Sequence, residues 1–298
     1  MFKYAANIAQ NTSKKEPCRR SVGLGTMRKT TLLVGALLSS PGLTLAQNTP
    51  EENNPNIAAP FVRNIRADRP GQTITAQVLR PGRFQLESGF RRQVGGPNPA
   101  QSLSGATLRI GFFNSMELRV SQPYFHHGPA VLTETGLVEA RGWAPAVVGA
   151  KFMVSPNYDT RTQVAVLVES GVPGTGSRGL RRNTWSPAGR LLVSEQLGQR
   201  YGLEANFGFS QPGLTGADLK QGQFLGSLAL NGAISDKTGF FVEAYGTGRS
   251  ALTTGTTAGA YWRPSSEIRL DVNAGRVLGG GAQGATTVGA GVVFKAGK

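Results

Sequence analysis

Cysteine and histidine are almost missing from this 298-residue chain, which has one cysteine, Cys18, and two adjacent histidines, His126 and His127. That scarcity excludes a disulfide scaffold and a four-cysteine zinc site, and it leaves too few imidazoles for a histidine metal cluster. No metal or other cofactor is expected. Helix composition is poor as well, because glycine occurs 41 times and costs about 1 kcal/mol against alanine inside a helix. The composition argues against a helical bundle. No apolar run reaches the roughly 20 residues that a membrane-spanning helix needs.

Acids are scarce too, 17 against 32 basic residues. Part of that imbalance sits at the N-terminus, where Met27-Arg28-Lys29 precedes an apolar stretch from Leu32 to Ala46, with Thr44 and Ala46 at small-residue positions before Gln47. This is the layout of a secretory signal peptide over residues 27–46. Residues 1–26 then read as a mis-called extension, the rival being an unusually long n-region. Without residues 1–46 the chain keeps 25 basic and 16 acidic residues, 20 of the basic ones arginine, and it has no cysteine. The arginines are scattered rather than gathered in a block, so no nucleic-acid partner is expected.

Residues 47–82 are rich in asparagine and proline and lack sustained periodicity, which reads as a periplasmic segment. From Arg83 onward short runs alternate with period two, placing every second side chain on one face of a strand. Phe84, Leu86 and Phe90 alternate with Gln85, Glu87 and Arg91. Leu108, Ile110 and Phe112 lead through Asn114-Ser115 to Met116, Leu118 and Val120, a hairpin with a tight turn. The pattern persists to Val288, Ala290, Val292 and Phe294, with a run near 188–197 of ambiguous parity. Twelve strands result.

Gap lengths decide the architecture. The gaps at 94–105, 122–143, 170–187 and 211–222 are long, those at 246–253 and 277–285 intermediate, and those at 113–115, 155–160, 198–200, 235–238 and 263–266 short. An even strand count with short turns on one side and longer loops on the other predicts an all-β fold: a twelve-stranded antiparallel transmembrane outer-membrane β-barrel over 83–298, preceded by a signal peptide. The competing fold is a secreted sandwich or lipocalin-like barrel with its apolar face turned inward. Aromatics near strand ends, such as Phe84, Tyr201, Trp262 and Phe294, suit interfacial girdles.

On these residues a family resemblance emerges. Arg66-Ala67-Asp68-Arg69-Pro70, the stretch from Pro81 to Phe90, Met116 to Val120, Ile234 to Gly239 and Ile268 to Arg276 together resemble the outer-membrane transporter-like family named for the MetA pathway of phenol degradation. The resemblance spans roughly 64–294 and implies an outer-membrane barrel admitting small hydrophobic or aromatic compounds. Such barrels usually end on an aromatic residue, whereas here Phe294 is followed by Lys295-Ala296-Gly297-Lys298.

If the polar face is lumenal, it carries Glu87, Glu117, Glu169, Glu204, Glu243 and Asp271 against Arg91, Arg109, Arg119, Lys151, Arg190 and Arg269. Charges of both signs in a narrow barrel should pair, because an unpaired buried charge is costly. The balance suggests a partly occluded interior without strong ion preference, or pairs that only fill space. Leu108, Val166, Leu203, Leu230 and Leu270 are expected to face lipid. The segment before the first strand carries Arg66, Asp68, Arg69 and Arg80; it reads either as a plug whose arginines meet lumenal acids or as a bland tether.

Two matches to G-x-G-x-x-G, at Gly174, Gly176, Gly179 and at Gly279, Gly281, Gly284, fall between strands with no following helix, so no dinucleotide is expected. His126 and His127, placed in the 122–143 loop, lack an adjacent carboxylate cluster. Arg178, Arg181 and Arg182 suit lipopolysaccharide phosphates or a solvated loop. The expected partners are outer-membrane lipid and lipopolysaccharide, the barrel-assembly machinery, and a small hydrophobic or aromatic solute crossing the outer membrane of a Gram-negative bacterium by passive diffusion. No catalytic site is expected; a membrane-embedded enzyme and a structural barrel without transport are the alternatives.

Overall fold

The computed structural model describes residues 65–297 apart from 70, 97–100, 129, 134–135, 140, 156–160 and 250. Cys18, the extension 1–26, the signal segment 27–46 and its junction at Gln47 lie outside the described residues.

Twelve antiparallel strands follow in chain order: β1 (Phe84–Val94), β2 (Gln101–Phe113), β3 (Met116–His127), β4 (Val147–Met153), β5 (Thr162–Gly171) and β6 (Ser186–Leu197). The second half comprises β7 (Tyr201–Ser210), β8 (Gln223–Ala233), β9 (Thr238–Gly248), β10 (Leu252–Trp262), β11 (Ile268–Gly279) and β12 (Thr286–Ala296). Each strand pairs with its sequence neighbours, and β1 pairs with β12 from Phe84↔Ala296 to Val94↔Thr286, which closes the sheet. Following the paired residues once round the wall returns to β1 displaced by about 14 residues, which for twelve strands sets a tilt of about 40° and a wall radius of about 11 Å. No α-helix occurs among the described residues; one 3-10 turn, Asp218–Gln221, lies in the loop before β8.

The polarity of the wall is inverted relative to a water-soluble barrel. Phe84, Leu86, Phe90, Val120, Leu228, Val242, Val272 and Val292 point outward and are exposed, as are Leu108 and Leu270. Val166, Leu203 and Leu230 share that outer face, partly covered by neighbours. The alternate positions, among them Gln85, Glu87, Arg109, Glu117, Lys151 and Asp271, are buried. A soluble sandwich or lipocalin would bury the first set and expose the second. Aromatic pairs sit at both rims: Phe112 with Phe113 beside the β2–β3 turn, and Phe209 with Phe224 and Tyr124 with Trp143 at the opposite end.

Two boundaries differ from the sequence expectation. His126 and His127 close β3 instead of lying in a loop, because Ser102 and Leu103 of β2 pair with His127 and Phe125 at that height. Parity turns His126 outward, where its Nε2 lies 2.9 Å from Ser104 Oγ and its ring tilts against Phe90 and Tyr124. The following connection contains a short hairpin, Ala130–Thr133 with Gly136–Glu139. β2 begins at Gln101, shortening the first loop.

Candidate functional site

The lumen is the site, and residues 65–69 and 71–79 lie inside it. Ile65, Arg69, Thr73, Ile74, Thr75, Ala76 and Val78 are all buried, although no strand claims them. The segment leaves the lumen through a tight turn at Arg80-Pro81-Gly82-Arg83, where Arg83 N donates to Arg80 O at 3.1 Å. Proline at the second position and glycine at the third with φ +74° meet the demand of a type II turn, and β1 starts directly afterwards.

The wall grips this segment largely by its main chain. Asp68 N donates to Glu87, Gln72 N and Thr73 N to Glu243, Ile74 N to Asn206 Oδ1 at 2.6 Å, Ala76 N to Ser194 Oγ at 2.9 Å, and Leu79 N to Glu117 at 3.0 Å. Its carbonyls accept in turn: Arg66 O from Gln85 and Arg109, Thr75 O and Gln77 O from Lys151 Nζ. The donors and acceptors come from β1, β2, β3, β4, β6, β7 and β9, so the segment crosses the interior rather than following one strand. Buried backbone groups need partners, and side chains on the wall supply what a ladder would otherwise provide.

Charge completes the grip. Asp68 meets three wall cations: Lys151 at 3.1 Å, Arg109 at 3.7 Å and Arg119 in a shorter contact. Burial raises the Asp68 carboxyl, but Arg109, Lys151 and Arg119 outweigh it and hold the group well below the usual carboxylate range. Arg66 pairs with Glu204 at 3.0 Å and Arg69 with Asp271 at 3.3 Å. The wall also pairs with itself: Arg109 reaches Glu117 at 2.7 Å and Glu87 at 2.9 Å, and Arg119 reaches Glu169 at 3.1 Å.

Of the sequence-predicted lumenal residues, Glu87, Arg109, Glu117, Arg119, Lys151, Glu169, Arg190, Glu204, Glu243, Arg269 and Asp271 are buried in the interior. Arg91 occupies an inward position higher on β1 and is partly exposed. Arg80 presents its carbonyl to the turn, and that carbonyl lies where a side chain on Gly111 would begin.

Sequence reasoning missed four features. Arg263, one residue past β10, is buried and inward; extending the strand's parity by a single position would have found it. Leu167 and Leu192 face inward and, with Ala165, form an apolar patch that receives Ile74 and Ala76. Gly89 and Gly291 are inward positions where a Cβ would sit about 2 Å from the Arg69 guanidinium, so their missing side chains make its path. Tyr261, inward on β10, carries the guanidiniums of Arg263 and Arg269 over its ring at 4.5 and 4.2 Å.

A closed antiparallel sheet with an even strand count, an apolar belt outside and paired charges inside is an outer-membrane β-barrel. Its family can be stated: the chain belongs to the family described for the MetA-pathway of phenol degradation, whose model matches residues 67–297. Among solved structures, it resembles an outer membrane channel from Pseudomonas putida F1 at 13% identity and a TM-score of 0.58, covering 76% of this chain and 99% of that one. It also resembles the NanC porin, at 9% identity and a TM-score of 0.51 over 71% of this chain and 98% of that one. The KdgM porin is similar at 8% identity and a TM-score of 0.50, covering 70% and 98%. No curated protein matches the chain in sequence.

Proposed function

We propose that this protein sits in the outer membrane as a passive channel for small organic molecules, with residues 66–80 plugging the lumen at its short-turn end. The observation that carries the reading is the pairing of an apolar outer belt with a charge-lined interior, in a wall wide enough to hold a stretch of chain. A barrel serving only as a scaffold gains nothing from burying so many charges, because desolvating them costs more than an apolar filling would. The charges serve instead to give solutes polar partners and to hold the plug by contacts that can be exchanged for water. On this reading the lumenal set from Glu87 to Asp271 lines the route and the protein catalyses no reaction. The outer face meets lipid, Arg178, Arg181 and Arg182 face lipopolysaccharide phosphates, and the barrel-assembly machinery inserts the chain.

Liposome swelling with the purified full chain tests the proposal, using a panel of small aromatic and aliphatic solutes. Swelling faster than in protein-free liposomes, falling with solute size, is the expected result. A correctly folded protein giving neither swelling nor conductance across the panel would reject the channel reading.

A further inference from the structure

At the short-turn end of the lumen, between the lower ends of β8 to β11 and residues 65–69, 71 and 73, lies a small cavity that opens to solvent. Its wall has two characters. Phe241, almost fully buried, gives it an apolar floor, and the Tyr261 ring beside it is covered by guanidiniums. Around that floor stand Arg263, Arg269, Asn231 and Arg66.

The carboxylates of this cavity are already engaged. Glu204 holds Arg66, and Glu243 holds the main-chain N–H groups of Gln72 and Thr73. Arg263 and Arg269 are different. They are 6% and 7% exposed, and among the described residues neither lies within ion-pair distance of an acid. Their Nε atoms are buried without a hydrogen-bond partner, and so is Asn231 Nδ2. Their terminal nitrogens reach long contacts to main-chain oxygens, Arg263 to Asp236 O at 3.5 Å and Arg269 to Ile65 O at 3.4 Å, and Arg263 also meets the Tyr261 hydroxyl. Burial draws the Arg263 guanidinium down to about 10, with Arg269 and Arg66 acting in the same direction against Tyr261, so it remains charged at neutral pH.

The buried guanidiniums of Arg109 and Arg119 in this lumen meet carboxylates. Here two of them share one aromatic ring and face a cavity with Nε donors that lack a partner among the described residues. Burying like charges side by side is costly unless an anion neutralises them, and a guanidinium fork matches a carboxylate in geometry. The apolar floor adds a place for a ring or short hydrocarbon beside the anionic head. We propose that this cavity is a binding site for the carboxylate of a small aromatic acid, the head held by Arg263, Arg269 and Asn231 and the ring against Phe241. This rests on the channel reading and names its substrate class: organic monocarboxylates rather than neutral hydrocarbons.

Because residues 65–69, 71 and 73 form one side of the cavity, an acid bound there touches the plug directly. The site therefore lies on the route, beneath the point where Arg66 and Arg69 cross to β7 and β11.

Titration calorimetry on the full chain in detergent tests the assignment with three probes: sodium benzoate, benzyl alcohol and inorganic phosphate. Benzoate is expected to bind at least tenfold more tightly than either other probe. Arg269→Gln and Arg263→Gln should each weaken benzoate at least tenfold while leaving the barrel folded, judged by its altered migration on unheated gels. Equal binding of benzoate and benzyl alcohol overturns the proposal, as does phosphate binding as tightly as benzoate. The wild-type comparison among probes decides even where a variant fails to fold. Benzoate-selective binding without any solute flux in liposomes would leave the site standing and refute the channel; flux without benzoate selectivity would do the reverse.

Discussion

Replacing Asp68 with alanine should release the plug and leave the barrel standing. The wall cations it touches, Arg109, Arg119 and Lys151, are three in number, and the wall offers Glu87, Glu117 and Glu169 beside them. The cluster is therefore neutral without Asp68, and the loss falls on the docking of residues 65–80. Removing one partner of a buried, hydrogen-bonded ion pair costs about 3–5 kcal/mol when the other charge is stranded. With the wall still balanced, the lower figure applies, and about 3 kcal/mol shifts the docked-to-released ratio by roughly a hundredfold. Trypsin reads the release well, because Arg69-Pro70 and Arg80-Pro81 resist cleavage before proline and leave Arg66-Ala67 as the reporter bond. Cleavage there should accelerate on the order of a hundredfold if opening is the limiting step, and single-channel conductance should rise toward that of a variant lacking residues 64–80. A folded Asp68→Ala barrel with unchanged cleavage and unchanged conductance would refute the reasoning, as would a deletion variant conducting no better than the full chain.

Other perturbations probe separate parts of the fold. Leu228 lies mid-strand on the outer face and is 49% exposed, so Leu228→Arg should destabilise the folded barrel in lipid by about 2–4 kcal/mol, whereas Ser227→Ala on the inner face should cost far less; urea titration in liposomes compares them, and equal losses would contradict the facing. Gly89→Val should push Arg69 off Asp271 and speed cleavage at Arg66, and the effect should vanish in an Arg69→Ala background; additive effects would mean that the two do not interact. The Asp68 carboxyl is held below its unfolded value, so its contribution to docking is complete above the unfolded range near 4 and fades only as pH falls through the lower folded value. Conductance should accordingly stay level between about pH 5 and 8, and opening on mild acidification would show that a different group holds the plug. N-terminal sequencing of the membrane-inserted protein should begin at Gln47; finding Met1 or Met27 there would count against cleavage after Ala46.

The wall was legible because many of its outward residues are large and apolar at strict period two, and charge on that face is costly in lipid. The odd outward parity of Tyr201, Leu203 and Ala205, against even positions in β1 to β5, could be read because the residues between, Glu204 and Asn206, are polar. Parity failed where both faces carry mixed residues: β6 alternates Ala188, Arg190 and Leu192 inward with Leu191 and Val193 outward, so hydrophobicity separates nothing. The inward Leu167 and Leu192 serve Ile74 and Ala76, and a contact between segments far apart in sequence leaves no periodic trace. The same holds for Gly89 and Gly291, whose meaning depends on where Arg69 passes. His126 and His127 looked like loop residues because the strand outruns its most apolar stretch, ending in Tyr124-Phe125-His126-His127. The acids and bases of the lumen could be named in advance; which of them would meet the segment rather than each other could not, because that choice depends on register and height within the barrel.

The two ends of the lumenal segment lie at the same mouth. Ile65 sits by Arg269 near the start of β11, and Gly82 donates to Gly111 O beside the foot of β1. The chain goes in and comes back out, so it threads nothing. Traction on the residues ahead of Ile65 would draw the loop out like a slack cord, breaking side-chain contacts one height at a time while every rung between neighbouring strands stays intact. Undocking the segment therefore asks no strand of the wall to part from its neighbour.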